Sequence, residues 1–435
     1  MRGLRERYAG EPVGRLERAG GPVSGPDRIL VVDMLRGLAL FGILLVNMSL
    51  FKSSVSFEHL SALSVENLPD KMAALAIKLL ADGKFFTLFS FLFGLGFSIQ
   101  MDRARQRDGR RFLPRYVRRL LMLLVIGLAH VALVWFGDIL VTYALLGLVL
   151  IFFRNVSQRT LLIWAATLLV GVSLIAAAAT TLVELERADP AGQAGIVRAE
   201  EQLLATDAAD AERRTDVYAN GSYADTLAER VNNPDGFVFV MVVQGVPVLA
   251  MFLLGLYAGR RGILADVPAH QGLLRRVRFW GLVLGLPLNA LAIIAQARLG
   301  LFSTLGVQFL VYSFAAPVLS MGFAASFVLL AQKDGWRRRL APLGLAGRMA
   351  LTNYLSQSLI CTTIFYGYGF GLYGKVGAAT GILLTCAIFA LQVAWSAWWL
   401  RRFRFGPMEW LWRTLTYGRL QPIRSQPGRV AEEAR

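Results

Sequence analysis

The chain has 435 residues, of which 55% are hydrophobic and only 17% charged, and its mean hydropathy is +0.51. Soluble domains carry about a quarter charged residues, so the composition excludes an ordinary water-soluble domain; long apolar runs separated by short Arg-rich stretches place the chain in a lipid bilayer. The net charge of +17 does not indicate nucleic acid: only six of the 46 basic residues are Lys, most Arg flank apolar runs, and no nucleic-acid-binding motif is present. The charge reads as a positive-inside signal and as attraction to anionic lipid head groups.

Residues 1–28 are Arg-rich, and the apolar run that follows, 29–51, is longer than a signal-peptide core and lacks an A-x-A cleavage site. It reads as an uncleaved first span. It carries Asp33, Arg36 and Asn47. A helix turns about 100° per residue, so Asn47 returns to within about 20° of Arg36, and Asp33 lies one turn before it. The three share a face about 21 Å long. Ionisable groups inside a span face the bundle interior and have partners. The face reads either as a polar seam leading in from the cytoplasmic side or as an Asp–Arg pair that anchors the helix. Gly37 suits close helix packing.

Residues 71–82 read as a short amphipathic helix at the interface, with Asp82 and Lys84 also interfacial. The second span, 84–101, has Gly94 and Gly96 as points of close helix contact. The run 120–153 is too long for one helix and breaks at Gly137-Asp138, giving the third and fourth spans. His130 lies late in the third span and Asp138 in the turn. An imidazole beside a carboxylate can act as a general base whose tautomer the carboxylate fixes. The other reading is a His bonded between helices and an Asp capping the fourth span.

Further spans are expected at 161–183, 237–258, 279–297, 301–331, 343–366 and 376–400. Residues 184–235 hold twelve acidic and five basic residues and read as helices with a solvated surface, either a lid or a long loop. The ninth span opens with GRMALTNYLSQS (347–358), where Asn353 and Gln357 share a face beside Thr352 and Ser356. That stripe faces protein or water, not lipid, and either lines a substrate cavity or joins helices. GPMEWLWRTLTYG (406–418) reads as an amphipathic interfacial helix begun by Pro407, and 425–435 as disordered. His59 and His270 read as solvated. Cys361 and Cys386 lie in apolar runs without ligand spacing, so no metal site is expected.

With ten spans the Arg-rich stretches 102–119, 259–278, 332–339 and the tail all fall on the side of the N-terminus, which the positive-inside rule makes the cytoplasm. The expected architecture is all-α: a polytopic membrane helix bundle of about ten transmembrane helices, with both termini inside. It divides into a cytoplasmic segment 1–28, a five-span bundle 29–183, an acidic extracytoplasmic loop 184–236, a second five-span bundle 237–400 and an amphipathic cytoplasmic tail 401–435.

The segments RILVVDMLRGLALFGILLVNM (28–48), GKFFTLFSFLFGLGF (83–97), His130 to GDIL (130–140), GRMALTNYLSQS and GPMEWLWRTLTYG together resemble domain-of-unknown-function family 418, the YeiB-like bacterial inner-membrane proteins. The resemblance spans most of the chain and implies a multi-pass protein of the bacterial cytoplasmic membrane; it identifies a family rather than a reaction. The first span is also distantly similar to transmembrane acyltransferases of the heparan-glucosaminide N-acetyltransferase type, with an Asp-x-x-Arg-Gly start and an Asn end. It is similar too to acyltransferase family 3, in which a His closes that span where Asn47 stands here. These similarities imply cytoplasmic acyl-CoA as a cosubstrate, with no resident cofactor, and a glycan, lipid or small-molecule acceptor. On this reading Arg36, Arg118 and Arg119 hold the CoA phosphates, with Asp33, Asn47, Asn353 and Gln357 as further substrate-binding candidates. His130 is the catalytic base and Asp138 orients it. The alternative is a transporter or transporter-associated protein. The polar seam favours it, and the lack of an inverted repeat or Pro/Gly-broken helix pair in the sequence weakens it. A non-catalytic scaffold would tolerate changes at Asp33, Arg36 and His130.

Overall fold

The computed structural model describes residues 29–54, 65, 67–106 and 112–424. The 1–28 segment, His59 and the 425–435 tail lie outside the described residues. Among those described, the secondary structure is helical apart from one isolated bridge, Phe403 with Arg424.

Helix α1 (Leu30–Lys52) is followed by the short α2 (Leu68–Leu80), and α3 (Lys84–Gln106) starts after the left-handed Gly83. The long apolar run gives α4 (Phe112–Leu133) and α5 (Leu140–Leu150), the latter ending in a 3-10 turn at Ile151–Asn155. The break between them holds Gly137 and Asp138, as the sequence predicts. Helix α6 (Gln158–Ala188) starts at Ser157, whose hydroxyl accepts the Thr160 amide, a standard N-cap. The acidic segment folds into α7 (Pro190–Asn220) and α8 (Tyr223–Asn232). Then come α9 (Asp235–Arg260), α10 (Gln271–Gln296), α11 (Leu301–Leu310), α12 (Ala316–Ala331), α13 (Asp334–Arg348), α14 (Ala350–Phe365), α15 (Ala378–Leu400) and α16 (Pro407–Tyr417).

Among the described residues, seven units are long and apolar enough to cross a membrane: α1, α4, α6, α9, α10, the continuous α11–α12 unit and α15. The protein is a helical membrane bundle. Of the other three expected spans, α3 is a 23-residue helix, α5 is short, and the run 343–366 is not one helix.

That last run corrects the sequence reading. It breaks at Met349, whose φ of −110° and ψ of 37° leave the helical region. Neither Pro nor Gly stands at the break. A carboxylate from far along the chain, Glu409, takes up the Leu351 and Thr352 amides that the break frees. A second interruption lies inside the eighth run, where Val311–Ala315 form a π-helical turn between α11 and α12. The Asn289 amide donates to the Ala315 carbonyl there at 3.0 Å. Lys84, at the start of α3, is buried within the protein. Its ammonium donates to the Lys78 carbonyl at 2.8 Å, and its own carbonyl accepts from the Ser320 hydroxyl.

Lipid tails are as apolar as Leu, so helices in a bilayer associate through close packing and hydrogen bonds rather than by hydrophobic burial. Three helix pairs here meet backbone to backbone. A Cβ on Gly37 would sit 2.0 Å from the Leu343 carbonyl oxygen, and one on Gly347 2.0 Å from that of Asp33, which fixes α1 on α13. Gly94 faces the Phe252 carbonyl and Gly255 that of Phe91, fixing α3 on α9, while Gly281 meets Gly322 between α10 and α12. Gly96 meets only the Arg36 side chain. Helices from 29–183 therefore lie directly on helices from 237–400, in one shared interior.

Helix α7 runs across one end of the bundle. A third of the way along it, Glu200 pairs with Arg187 at 2.7 Å and accepts the Phe302 amide. At its end Tyr218 stacks near Tyr366 and Tyr373, and its carbonyl accepts the Gly367 amide. Helix α8 is fastened to the last turn of α4, since Arg230 donates to the Ala132 and Leu133 carbonyls and Tyr223 to that of Leu133.

A methyl at the α1–α13 contact has no room. Gly347→Ala is expected to destabilise the protein by about 1–3 kcal/mol, the usual cost of overpacking. Gly171→Ala, at a position with nothing within 4 Å of a new Cβ, is expected to be neutral. Thermal unfolding of both variants in detergent checks this, and equal melting temperatures would show that the contact tolerates a side chain.

Candidate functional site

The end of α4 holds the main polar constellation. The helix closes on His130, whose carbonyl accepts both the Val134 and the Trp135 amides at 2.9 Å. The chain then turns through Gly137 and returns as α5. Asp138 stands one turn before Val141 and accepts its amide through Oδ1 at 2.9 Å, which caps the new helix. Its Oδ2 lies 2.8 Å from His130 Nδ1. Eight residues of sequence thus bring imidazole and carboxylate together, both buried.

With Asp138 as a carboxylate, which only accepts, the proton between the two sits on Nδ1, and a neutral ring then carries its lone pair on Nε2. Nε2 is buried and has no hydrogen-bond partner among the described residues. Such an atom can take a proton from a ligand placed against it. The centre of the imidazole lies 6.4 Å from that of the Trp135 ring, edge-on, and 5.4 Å from that of the Tyr354 ring. Trp135 is held by stacking on Phe51 at 4.0 Å. The Tyr354 hydroxyl accepts the Ile139 amide at 3.3 Å and lies beside Asp138. Trp135 stands in a segment singled out in the sequence, and Tyr354 follows Asn353 directly. Neither has a spacing that assigns it to His130, because Tyr354 arrives from 224 residues away.

The other charged candidates gather toward the far end of α4. Arg36 Nη1 donates to Asp33 at 3.1 Å. The Arg119 guanidinium lies 4.0 Å over the Trp412 ring, and its carbonyl accepts the Trp412 indole N–H. Arg36 is close enough for its charge to act on Arg119. Arg118 is exposed and flanks Gly418, just past α16. Arg36, Arg118, Arg119 and the tail helix therefore form one basic end. Asn47 lies half-buried about 16 Å further along α1.

Asn353 and Gln357 belong to a different network. Asn353 Nδ2 donates to the Ala346 carbonyl and to Ser396, and Gln357 Nε2 to Gln392 Oε1. Gln392 Nε2 returns to the Asn353 carbonyl and Ser356. The polar stripe joins α14 to α15, and Gln392, which no motif marks, is its centre. Glu409 is a second residue no motif assigns. It is buried against the start of α14, where it also accepts the Thr352 hydroxyl at 2.5 Å.

Comparison with known proteins follows this geometry. The family described as "Protein of unknown function (DUF418)" matches residues 258–419. The uncharacterized protein YxaH of Bacillus subtilis (strain 168) is 38% identical over 423 residues, covering 92% of this chain and 97% of its own. An uncharacterized 39.9 kDa protein in the amylase 3' region of Bacillus acidopullulyticus is 30% identical, over 92% of this chain and 97% of its own. The uncharacterized protein YeiB of Escherichia coli (strain K12) is 29% identical, over 93% of this chain and all of its own.

Burial raises the Glu409 carboxyl above its usual 4.5, against hydrogen bonds from Thr352 and Leu351 that lower it. A carboxyl raised in the folded state favours docking of α16 most fully below about 4.5, and that contribution is lost as pH rises through the raised value. Limited proteolysis after α14 is therefore expected to accelerate as pH increases from 4.5 toward neutrality. In Glu409→Gln, which keeps an acceptor and cannot ionise, the rate is expected to stay flat. A slope unchanged in Glu409→Gln would assign it to another group.

Proposed function

We propose, for a chain that belongs to the DUF418 family, that it is a transmembrane acyltransferase moving an acyl group from acyl-CoA to an acceptor at the opposite end of the bundle. The observation that carries this reading is the buried His130–Asp138 pair with Nε2 unoccupied. The Arg-rich end is taken as cytoplasmic by the positive-inside rule, in the bacterial inner membrane. There Arg36, Arg118 and Arg119 receive the CoA phosphates, for which guanidinium groups are well suited. Arg119 and His130 are eleven residues apart on one helix, about 16 Å at 1.5 Å per residue. That separation suits an extended pantetheine arm.

The chemistry is a single displacement. His130 Nε2 takes the proton of an acceptor hydroxyl or amine, and the freed oxygen or nitrogen forms a bond to the thioester carbonyl carbon. The tetrahedral intermediate collapses with cleavage of the carbon–sulfur bond. The leaving thiolate takes the proton back from the imidazolium, so the products are acylated acceptor and CoA. Asp138 holds the ring in place and stabilises the imidazolium. The helical segment α7–α8 serves as a lid over this end.

A second reading, transport, is favoured by the two interrupted helices, the π turn at Val311–Ala315 and the break at Met349. Interrupted helices are a feature of substrate and ion sites in transporters.

His130→Ala is expected to lower transfer from acetyl-CoA by about 10²–10⁴-fold, the usual contribution of a general base, while the purified protein still binds acetyl-CoA. Arg36→Ala is expected to weaken that binding, measured by calorimetry in detergent. Unchanged turnover in His130→Ala would remove it from the mechanism. Uptake of a solute by proteoliposomes without covalent change would favour transport.

A further inference from the structure

Four buried side chains at the His130 end of α4 each leave one polar atom without a partner: His130 Nε2, Trp135 Nε1, Arg230 Nη1 and Tyr366 Oη. Their residues are 3%, 0%, 5% and 0% exposed. They also lie near one another. Trp135 and His130 are ring neighbours. Arg230 reaches the Ala132 and Leu133 carbonyls, two and three residues beyond His130. Tyr366 lies within reach of the Arg230 charge. Buried polar groups in folded proteins are nearly always satisfied, so a group of orphans calls for a missing partner.

Arg230 shows what kind of partner is missing. Two of its nitrogens cap α4, where a cation also complements the negative end of the helix. Capping does not use the third nitrogen, and no carboxylate among the described residues pairs with the guanidinium. The adjacent Glu229 is committed to Arg213 and Asn233. A buried cation without a counter-charge is costly, and an anion would relieve it. Trp135 Nε1 can only donate, which also suits an anion, whereas His130 Nε2 of a neutral ring protonated on Nδ1 accepts, which suits a hydroxyl or amine.

We propose that these four atoms form the acceptor subsite and that the acceptor is a small hydroxylated anion. Its hydroxyl donates to His130 Nε2, and its carboxylate or phosphate takes the free donors of Arg230 and Trp135, with Tyr366 completing the shell. Because Arg230 comes from α8, the bound anion also fastens the α7–α8 segment over the site. The fate of the hydroxyl rests on the acyltransferase reading; the binding of the anion does not.

The test is calorimetry on the full chain in detergent with three probes: glycerol 3-phosphate, glycerate and neutral glycerol. At least one of the two anions is expected to bind saturably and about tenfold or more tighter than glycerol, a difference of about 1.4 kcal/mol. Which of the two does so separates phosphate from carboxylate recognition. Arg230→Gln is expected to remove the preference. Trp135→Phe, which keeps an aromatic ring beside Phe51 and loses the N–H donor with part of the indole, is expected to weaken anion binding severalfold and to leave glycerol binding unchanged. No anion preference, or the same preference in both variants, overturns the proposal. Acetyl transfer measured in parallel separates the two readings. Anion binding without transfer leaves the site and removes the acyltransferase; transfer confined to neutral acceptors does the reverse.

Discussion

The Asp138 carboxylate is shared between two helices that must turn back on each other inside an apolar medium, and the organisation of the candidate site follows from that. In a bilayer no water is present to satisfy a broken backbone, so each freed amide and carbonyl has to find protein. Asp138 takes the Val141 amide with one oxygen and faces His130 with the other. The neighbouring groups are met in the same way. The Ile139 amide goes to the Tyr354 hydroxyl, and the carbonyls at the end of α4 go to Arg230 and Tyr223. The α4–α5 turn is thus tied to α14 on one side and to α8 on the other. Nε2 of His130 is one of the positions at which this satisfaction stops.

The same rule governs the other interruptions. At Met349 the freed amides of α14 are met by Glu409, which is why a tail helix far along the chain is docked at that end. At the π turn the Ala315 carbonyl is met by Asn289, and the Tyr312 hydroxyl donates to Asp82 at 2.9 Å. Each break in a helix brings a polar residue from a distant element. Where no break exists, the helices approach closely instead, as at Gly37, Gly94 and Gly347.

What could be read from the sequence is local in character. The turn at Gly137-Asp138 is legible because a 34-residue apolar run exceeds one bilayer crossing and Gly-Asp is the break in it. Gly37 and Gly94 are legible as contacts because small residues inside apolar helices serve that purpose. The pairing of His130 with Asp138 is suggested by spacing alone. The rest depends on partners remote in sequence. Arg230 lies in an acidic segment that composition describes only as solvated. The burial of Lys84 is not legible, because its ammonium meets the Lys78 carbonyl across the turn at Gly83. The break at Met349 carries no Pro or Gly at its own position and is invisible without Glu409. Asn353 and Gln357 show their polarity but not their partners, since Gln392 arrives on α15 from far along the chain.

Helix α4 connects the two ends that the functional reading needs. Arg118 and Arg119 stand near its start and His130 in its last full turn. A helix is stiff, with a fixed rise and about 100° of rotation per residue, so it sets both the distance and the relative direction of the two ends. The distance matters to any ligand that is anionic at one end and reactive at the other. The direction is held independently at each end, by the stacking of Arg119 on Trp412 and by the Asp138 contact to His130. The tail helix and the α8 cap, although far apart in sequence, therefore act on the two ends of the same rigid element.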